Sequence, residues 1–384
     1  MTNKIDNYVS QNKSLGIYIH IPFCKSRCIY CDFISSVDDC GQREKYVRYL
    51  CKQIRLASVE YSKDYIVDTV YIGGGTPTLL DIDQLKVIGK EIFGGFNCNL
   101  KEFSIEANPC AVDREKLVAL KEIGVNRLSF GVQSFNDDLL KMLGRRHNAE
   151  QAEYAVQLAK ELGFEVSIDA IIGLPNQTED DVKDFIDRAE KLGVEHVSVY
   201  MLSVEDGTKL KSLIEQGKLI AKSDDELAQL YEYACLCLKK YNFQRYEISN
   251  FCKNQKVSYH NLRYWQCLDY LGLGMGAHSL INNERWRNAD NFEEYYLGID
   301  DKNYRHDVQK LSKEDVESEF IMLSLRLQKG VDLAEFFQRF GHDFLNSYSQ
   351  AIKKNKDYLE ITPNSVSIKY EYLHLMNGII VDFI

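Results

Sequence analysis

Three cysteines lie close together after the first apolar run of the chain, at Cys24, Cys28 and Cys31. Thiolates are soft donors that bind iron–sulfur clusters well. With the spacing C-x3-C-x2-C they can hold three corners of a four-iron cube, which leaves the fourth iron open to the amino and carboxylate groups of a small molecule. We therefore predict a [4Fe–4S] cluster here. The alternatives are a zinc site, with His20 as a fourth ligand, and three unpaired thiols.

The other eight of the eleven cysteines are scattered along the chain. An odd number of cysteines spread over 384 residues is not a disulfide framework. We expect these eight to be reduced packing groups: Cys40, Cys51, Cys98, Cys110, Cys235, Cys237, Cys252 and Cys267.

Further polar or glycine-rich segments follow the next strand candidates. Gly73-Gly74-Gly75-Thr76-Pro77 lets a ligand approach the backbone without a Cβ in the way, although such a triplet alone is more often a plain turn. Glu106 ends the third strand candidate, Gln133 follows the fourth and Asp169 lies within the fifth. A carboxylate at such a position can bind an ammonium or ribose hydroxyls, or it can be a solvated or capping residue.

A histidine lies among aromatic residues in the segment Tyr259-His260-Asn261-Leu-Arg-Tyr264-Trp265. Imidazole is a common axial ligand of heme, and aromatic faces suit a flat macrocycle. A lone histidine among aromatic residues is nevertheless more often a hydrogen-bonded core residue. His278, in a glycine-rich stretch, is a second candidate ligand.

Short β-like runs alternate with amphipathic helical patterns over the first two-thirds of the chain. Such alternation predicts an α/β fold with a parallel sheet and crossover helices. Six units are too few for a closed eight-stranded barrel, so a partial barrel fits better. The polar residues named above would then meet at the carboxyl ends of the strands. The strand candidates are Gly16–Ile21, 67–72, 102–105, 127–130, 166–172 and 196–202.

The last third of the chain has a different pattern. Helical patterns cover 207–241, and 243–279 looks irregular and rich in Tyr, Gly, Asn and His. Helices and a hairpin candidate after residue 311 predict a small winged-helix-like domain. We therefore predict three regions: a barrel at 1–205, a helical and irregular segment at 206–305, and a terminal domain at 306–384.

Bulk properties exclude several classes of protein. The net charge of −10 argues against a nucleic-acid partner held through phosphate contacts. Residues 1–14 are polar and lack the apolar core of a secretory signal, and no apolar run approaches the ~18 residues of a membrane span. We expect a cytoplasmic protein, with peripheral membrane contact through a partner left open.

The cysteine spacing matches the signature of the radical-SAM superfamily, and the flanking YIHIPFCKSRCIYCDF resembles its coproporphyrinogen-oxidase-like branch. The resemblance implies a cluster that binds S-adenosylmethionine (SAM) in a partial (β/α)6 barrel. It also implies that Arg145 pairs with the SAM carboxylate. The SAM-binding residues it implies are Tyr18, Gly74, Gly75, Thr76, Glu106, Gln133, Arg145 and Asp169.

Within that branch, coproporphyrinogen III dehydrogenases carry a further cysteine two residues after the third ligand, where this chain has Phe33. The segment before Gly16 is also shorter than in those enzymes. The chain is therefore more similar to the heme chaperones of the branch, in which an HNxxYW pattern has been connected with heme. This similarity implies heme contact at His260, delivery of heme to respiratory hemoproteins, membrane-bound ones among them, and a homodimer.

Two other functions stay open. A dehydrogenase would cleave SAM to a 5′-deoxyadenosyl radical and decarboxylate propionate side chains of coproporphyrinogen III. A radical-SAM enzyme with an unrelated substrate is the third reading.

Overall fold

The computed structural model of the protein describes residues 13–384, without the side chain of His374. The segment 1–12, which holds most of the polar N-terminal stretch, lies outside the described residues.

Six parallel strands form the centre of the fold, and the sequence predicted each of them. Consecutive strands pair with one another in chain order. Helices cover the sheet, and the strand side chains Ile17, Val70 and Phe103 are fully buried, which explains why these segments read as apolar runs. The strands are Lys13–Ile21, Tyr65–Gly74, Cys98–Ala107, Arg127–Gln133, Glu165–Ile172 and His196–Met201.

Helices connect the strands, as the alternating pattern predicted. Their first turns are capped by side chains: Asp113 accepts a hydrogen bond from the amide of Lys116, and Thr178 accepts one from Asp181. A short helix that we did not predict, Asp137–Met142, begins after Asn136 and leads to Arg145. The other connecting helices are Cys40–Tyr61, Ile82–Gly95, Arg114–Ile123, Ala149–Glu161 and Glu179–Lys191, with 3-10 turns at Pro77–Leu79 and Pro109–Ala111.

The segment 243–279 is not irregular, and this prediction was wrong. Tyr270–Leu273 pairs in parallel with the first strand, next to Tyr18. Asn250–Cys252 pairs antiparallel with the sixth strand. Within residues 13–384 the sheet has twelve strands, completed by Gln244–Arg245, His278–Ile281, Glu284–Arg287 and His306–Lys310. Residues 244–310 therefore complete the sheet of the barrel. The middle segment also contains the helices Lys209–Glu215, Asp224–Lys240, Tyr259–Trp265 and Phe292–Asp300.

The C-terminal region has a hydrophobic core of its own, built around Phe320, Phe336, Phe344 and Ile379. Helices and a hairpin occur there as predicted, whereas the winged-helix character and the three domain boundaries stay predictions. The helices are Lys313–Ser324, Leu333–Phe340, Phe344–Ser347, Ser349–Lys354 and Met376–Ile380, with 3-10 turns at Tyr370–Leu375 and Val381–Phe383. The strands are Val331–Asp332, Leu359–Ile361 and Ser365–Ile368.

Across residues 13–384, the structure contains no helix that combines the length and the apolarity needed to cross a membrane.

Candidate functional site

The three cysteines of the predicted cluster lie in a loop that is closed at its base. Cys24 ends the short strand Phe23–Cys24, which pairs with Ser36–Val37. Within the loop, the amide of Cys31 donates to the carbonyl of Cys28 at 3.3 Å. All three cysteines are free, partly buried and in the lining of one cavity of about 580 Å³. The loop thus brings the three thiols to one side of the cavity.

The surroundings of these thiols fit an iron–sulfur cluster. A Cβ added to Gly75 would lie 2.6 Å from the carbonyl oxygen of Phe23 and 3.0 Å from the Sγ of Cys24, so only glycine leaves this wall open. Burial raises the pKa of the Cys24 and Cys31 thiols, so both favour the protonated form without a ligand. Bound metal reverses this preference, because thiols bind metal as thiolates. Within the described part of the chain, no three His, Cys, Asp or Glu side chains, the three cysteines included, are grouped so that they could hold a single metal ion. The fit to a cluster therefore rests on the open cavity that the three thiols line and not on a preformed set of ligands.

The glycine segment forms the wall of the cavity next to Cys24. Gly74 has a φ of 115°, and a Cβ there would lie 2.6 Å from the ring of His20. The amide of Gly75 donates to the carbonyl of Ile21 at 2.8 Å, and the hydroxyl of Thr76 donates to the Sγ of Cys24 at 3.8 Å. The segment is therefore tied to the cysteine loop along its length.

Two carboxyl groups face the same cavity. Glu106 accepts hydrogen bonds from the amide of Gly74 at 2.9 Å and from the hydroxyl of Tyr71 at 3.1 Å. Burial, with a smaller contribution from the charge of Asp169, raises the pKa of Glu106 to about 7. Burial also raises the pKa of Asp169 to about 6, and Ser129 donates to Asp169 at 3.3 Å. A cationic ligand would stabilise both groups in their ionised form.

Gln133 and Arg145 also line this cavity. Gln133 has a φ of 70°, which is rare for a residue with a side chain and marks the irregular end of its strand. Arg145 donates to the carbonyl of Gly131, and its Nη1 lies 3.5 Å from the Sγ of Cys28. Among the described residues, Gln133 Oε1 and Arg145 Nε are buried and have no hydrogen-bond partner. A ligand that fills the cavity can supply partners for both.

Tyr18 lies behind the cavity wall rather than in it. Its hydroxyl is 3.0 Å from Nδ1 of His20, and its ring stacks on Tyr71 with 6.3 Å between centroids. Tyr71, which we did not predict, makes the hydrogen bond to Glu106. The strand pattern contained a signal for it, because Tyr71 shares a face with Thr69 and Gly73 and is a polar residue in a buried strand.

The family model of the radical SAM superfamily matches residues 18–189, and the model of the HemN C-terminal domain matches residues 311–363. A heme chaperone HemW from Bacillus subtilis is 37% identical over 340 residues, which cover 88% of this chain and 89% of the relative. The heme chaperone HemW of Lactococcus lactis is 35% identical over 342 residues, or 88% of this chain and 89% of the relative. The chain belongs to the HemW family.

The solved structure of coproporphyrinogen III oxidase (HemN) from Escherichia coli has the same fold. It superposes with a TM-score of 0.84 at 23% identity and covers 97% of this chain and 90% of that one. At that identity the likeness concerns the fold alone. It confirms the radical-SAM barrel that the sequence predicted for this HemW-family chain.

Phe33 is the position at which the sequence departs from the dehydrogenases. Its side chain is 62% exposed and lies in the lining of the cavity, close to the cysteine loop. An exposed aromatic ring therefore stands at the position where the resemblance implies a further cysteine in the dehydrogenases.

His260 lies outside the lining of this cavity and is only 1% exposed. Its Nδ1 is 3.0 Å from the hydroxyl of Thr69, and its Nε2 is 2.9 Å from the hydroxyl of Tyr264. Both ring nitrogens are thus engaged, and the imidazole has no free nitrogen to offer an iron atom. His278, the second candidate, has an exposed side chain on the strand His278–Ile281.

A second cavity, of about 480 Å³, lies next to the HNxxYW helix Tyr259–Trp265. Tyr264, Trp265 and Tyr270 supply aromatic side chains to its lining, and Arg285 and Arg326 supply cationic ones. Tyr200 lines both cavities. The sequence indicated an aromatic site here, but it did not indicate the two arginines, which come from residues beyond the motif.

Proposed function

We propose that this chain is a heme chaperone that carries a SAM-binding [4Fe–4S] cluster. The observation that supports it best is the single cavity that collects Cys24, Cys28 and Cys31 together with the two carboxyl groups and Arg145. The HemW names of its relatives support the heme part of the proposal. When bound, the cluster would supply an electron source and an open iron site for a small ligand.

In this proposal, different residues of the cavity bind the cluster and the different parts of SAM. The thiolates of the cysteine loop hold the cluster, and the backbone of Gly74–Thr76 leaves room for the methionyl part of SAM. Arg145 pairs with the SAM carboxylate, because a guanidinium matches its geometry. Glu106 and Asp169 bind the amino group or ribose hydroxyls, and Gln133 donates or accepts a further hydrogen bond.

For heme we propose the second cavity. Aromatic side chains such as Trp265 and Tyr264 suit the face of a macrocycle, and Arg285 and Arg326 suit the two propionates. If His260 is instead the axial ligand, as the sequence suggested, the hydrogen bond between the Tyr264 hydroxyl and Nε2 of His260 must first break. The recipients in this proposal are hemoproteins, including respiratory ones at a membrane, and the chaperone acts in the cytoplasm as a monomer or homodimer.

The retention of a complete SAM-type cavity favours one other function, that of a coproporphyrinogen III dehydrogenase. A chaperone has no evident need for Arg145, Gln133 and two buried carboxyl groups around a cluster unless SAM is used there. The substitution of Phe33 for the additional cysteine argues against this second function.

One experiment separates the two functions. The cluster-loaded protein is incubated anaerobically with SAM, a reductant and coproporphyrinogen III, and a parallel sample is titrated with heme and mixed with an apo-hemoprotein. We expect no protoporphyrinogen, together with about one heme bound per chain and its transfer to the apo-hemoprotein. Catalytic formation of protoporphyrinogen would make the chain a dehydrogenase and contradict the proposal.

A further inference from the structure

His260 forms part of a buried cluster that extends to the cysteine cavity. Hydrogen bonds between Nδ1 and Thr69 and between Nε2 and Tyr264 fix the orientation of its ring. Burial lowers the pKa of His260 to about 3, with a smaller effect of Arg263, so the ring stays neutral at physiological pH. A neutral imidazole with two fixed nitrogens is a rigid structural element.

The ring of His260 packs against Tyr71. The two rings are stacked, with 5.3 Å between centroids and 24° between planes. Tyr71 also stacks on Tyr18 and donates its hydroxyl hydrogen to Glu106. The position of the Tyr71 hydroxyl, and with it the position of the Glu106 carboxylate in the cavity, therefore depends on the ring that supports Tyr71.

The backbone of His260 is fixed to the strand that carries Glu106. The buried carboxylate of Glu102, on that strand, accepts hydrogen bonds from the amides of Tyr259 at 2.6 Å and His260 at 3.3 Å. The hydroxyl of Ser258 donates to the same carboxylate at 3.1 Å. Glu102 and Glu106 are four residues apart on one strand, Cys98–Ala107. The helix Tyr259–Trp265 and the carboxylate of Glu106 are thus both held by the strand Cys98–Ala107.

We propose that His260 is a positioning residue of the SAM site, which acts through Tyr71 on Glu106, and that it is not an axial ligand of heme. The inference rests on the proposed function, because it takes the cysteine cavity to be the SAM site. It assigns the histidine of the HNxxYW segment to the cysteine cavity, while Tyr264 and Trp265 of the same segment face the second cavity.

The test compares SAM and heme binding in cluster-loaded variants. His260→Ala removes the ring and its hydrogen bonds to Thr69 and Tyr264. We expect the Kd for SAM to rise about tenfold, because Tyr71 without this support loses its hydrogen bond to the Glu106 carboxylate. His260→Phe keeps a ring against Tyr71 and should restore most of the affinity. Tyr71→Phe removes only the hydroxyl and should weaken SAM binding to a similar extent as His260→Ala. The position of the heme Soret band should stay unchanged in all three, because His260 is not an axial ligand in this inference.

His196 offers a matched control. It is also buried, and its two nitrogens contact Ser167 at 2.6 Å and Tyr246 at 2.8 Å, but it lies at the start of its strand, away from the cavity. His196→Ala should lower the melting temperature without changing the Kd for SAM. This separates a positioning role from a general loss of stability.

The outcomes distinguish this inference from the proposed function. If the wild-type protein binds SAM but all three variants bind it equally well, the positioning role is wrong. If His260→Ala loses the Soret band and keeps its SAM affinity, His260 is the heme ligand and the inference is overturned. A wild-type protein that binds no SAM would overturn the proposed SAM site itself, and the inference with it.

Discussion

At the scale of single residues, the chemistry of the cysteine cavity depends on groups whose protonation differs from that in water. Burial raises the pKa of Glu106 to about 7 and that of Asp169 to about 6. Both carboxyl groups therefore titrate close to neutral pH in the ligand-free protein. A cation bound beside them lowers both pKa values, so ligand binding and proton release are linked.

The pH dependence of SAM binding follows from Glu106. Below pH 7 this carboxyl group is protonated before SAM arrives, and binding must release the proton. We expect the affinity for SAM to rise by up to about tenfold between pH 6 and pH 8, since each pKa unit corresponds to that factor. Calorimetry in buffers of different ionisation enthalpy measures the released proton. Glu106→Gln should bind more weakly and lose most of this dependence, and an unchanged pH profile in that variant would contradict the assignment.

The same group has the opposite effect on the stability of the ligand-free protein. A carboxyl group whose pKa is raised in the folded state contributes stability that is fully present below its unfolded pKa. That stability is lost as the pH rises through the folded pKa of about 7. We expect the ligand-free protein to gain stability on Glu106→Gln at pH 8, as measured by chemical unfolding. A loss of stability in that variant at pH 8 would show that the carboxylate is stabilised by partners rather than penalised by burial.

At the scale of secondary structure, the six central strands could be predicted because each is a short apolar run followed by glycine or polar residues. Tyr270–Leu273 could not, because it is four residues long and its partner strand lies far away in the sequence. The role of Tyr71 could not be predicted for a similar reason, because it depends on a hydrogen bond to Glu106 on the neighbouring strand. The sequence also did not indicate the hydrogen bonds of His260 to Thr69 and Tyr264. These bonds change the interpretation of the HNxxYW histidine, because they engage both of its ring nitrogens.

The strand Tyr270–Leu273 gives a test of its close packing. A Cβ on Gly272 would lie 2.1 Å from the carbonyl oxygen of His278, so the backbone must move to accept it. We expect Gly272→Ala to lower the free energy of unfolding by about 1–3 kcal/mol. Gly94→Ala is the control, because a Cβ there meets nothing within 4 Å and the residue lies in a helix, where alanine is favoured. Equal stability of the two variants in urea unfolding would refute this packing argument.

At the scale of the whole molecule, two cavities lie on either side of Tyr200, one lined by the cysteine loop and one by the HNxxYW helix. The second is completed by Glu319 and Arg326, which come from the C-terminal region. A site built between the sheet and the terminal region explains why no single segment of sequence indicates it. It also makes the terminal region part of the proposed heme site.

The arginines of the second cavity test the proposed heme site. Arg326→Gln removes one cation that would pair with a propionate, and we expect heme affinity to fall about fivefold or more, as for the loss of one charge-assisted hydrogen bond. Arg114→Gln is the control, because Arg114 is exposed, pairs with Glu161 and is not among the residues that line the second cavity. Equal heme affinity of both variants in an absorbance titration would place the heme elsewhere.

The central claim is that the three thiols hold one cluster to which SAM binds. The most direct measurement is iron analysis combined with electron paramagnetic resonance of the reduced, anaerobically reconstituted protein, with and without SAM. We predict about four irons per chain, as a [4Fe–4S] cluster requires, a spectrum that changes when SAM is added, and loss of most of the iron in Cys28→Ala. Unchanged iron content in Cys28→Ala, or a spectrum that SAM does not alter, would contradict the claim.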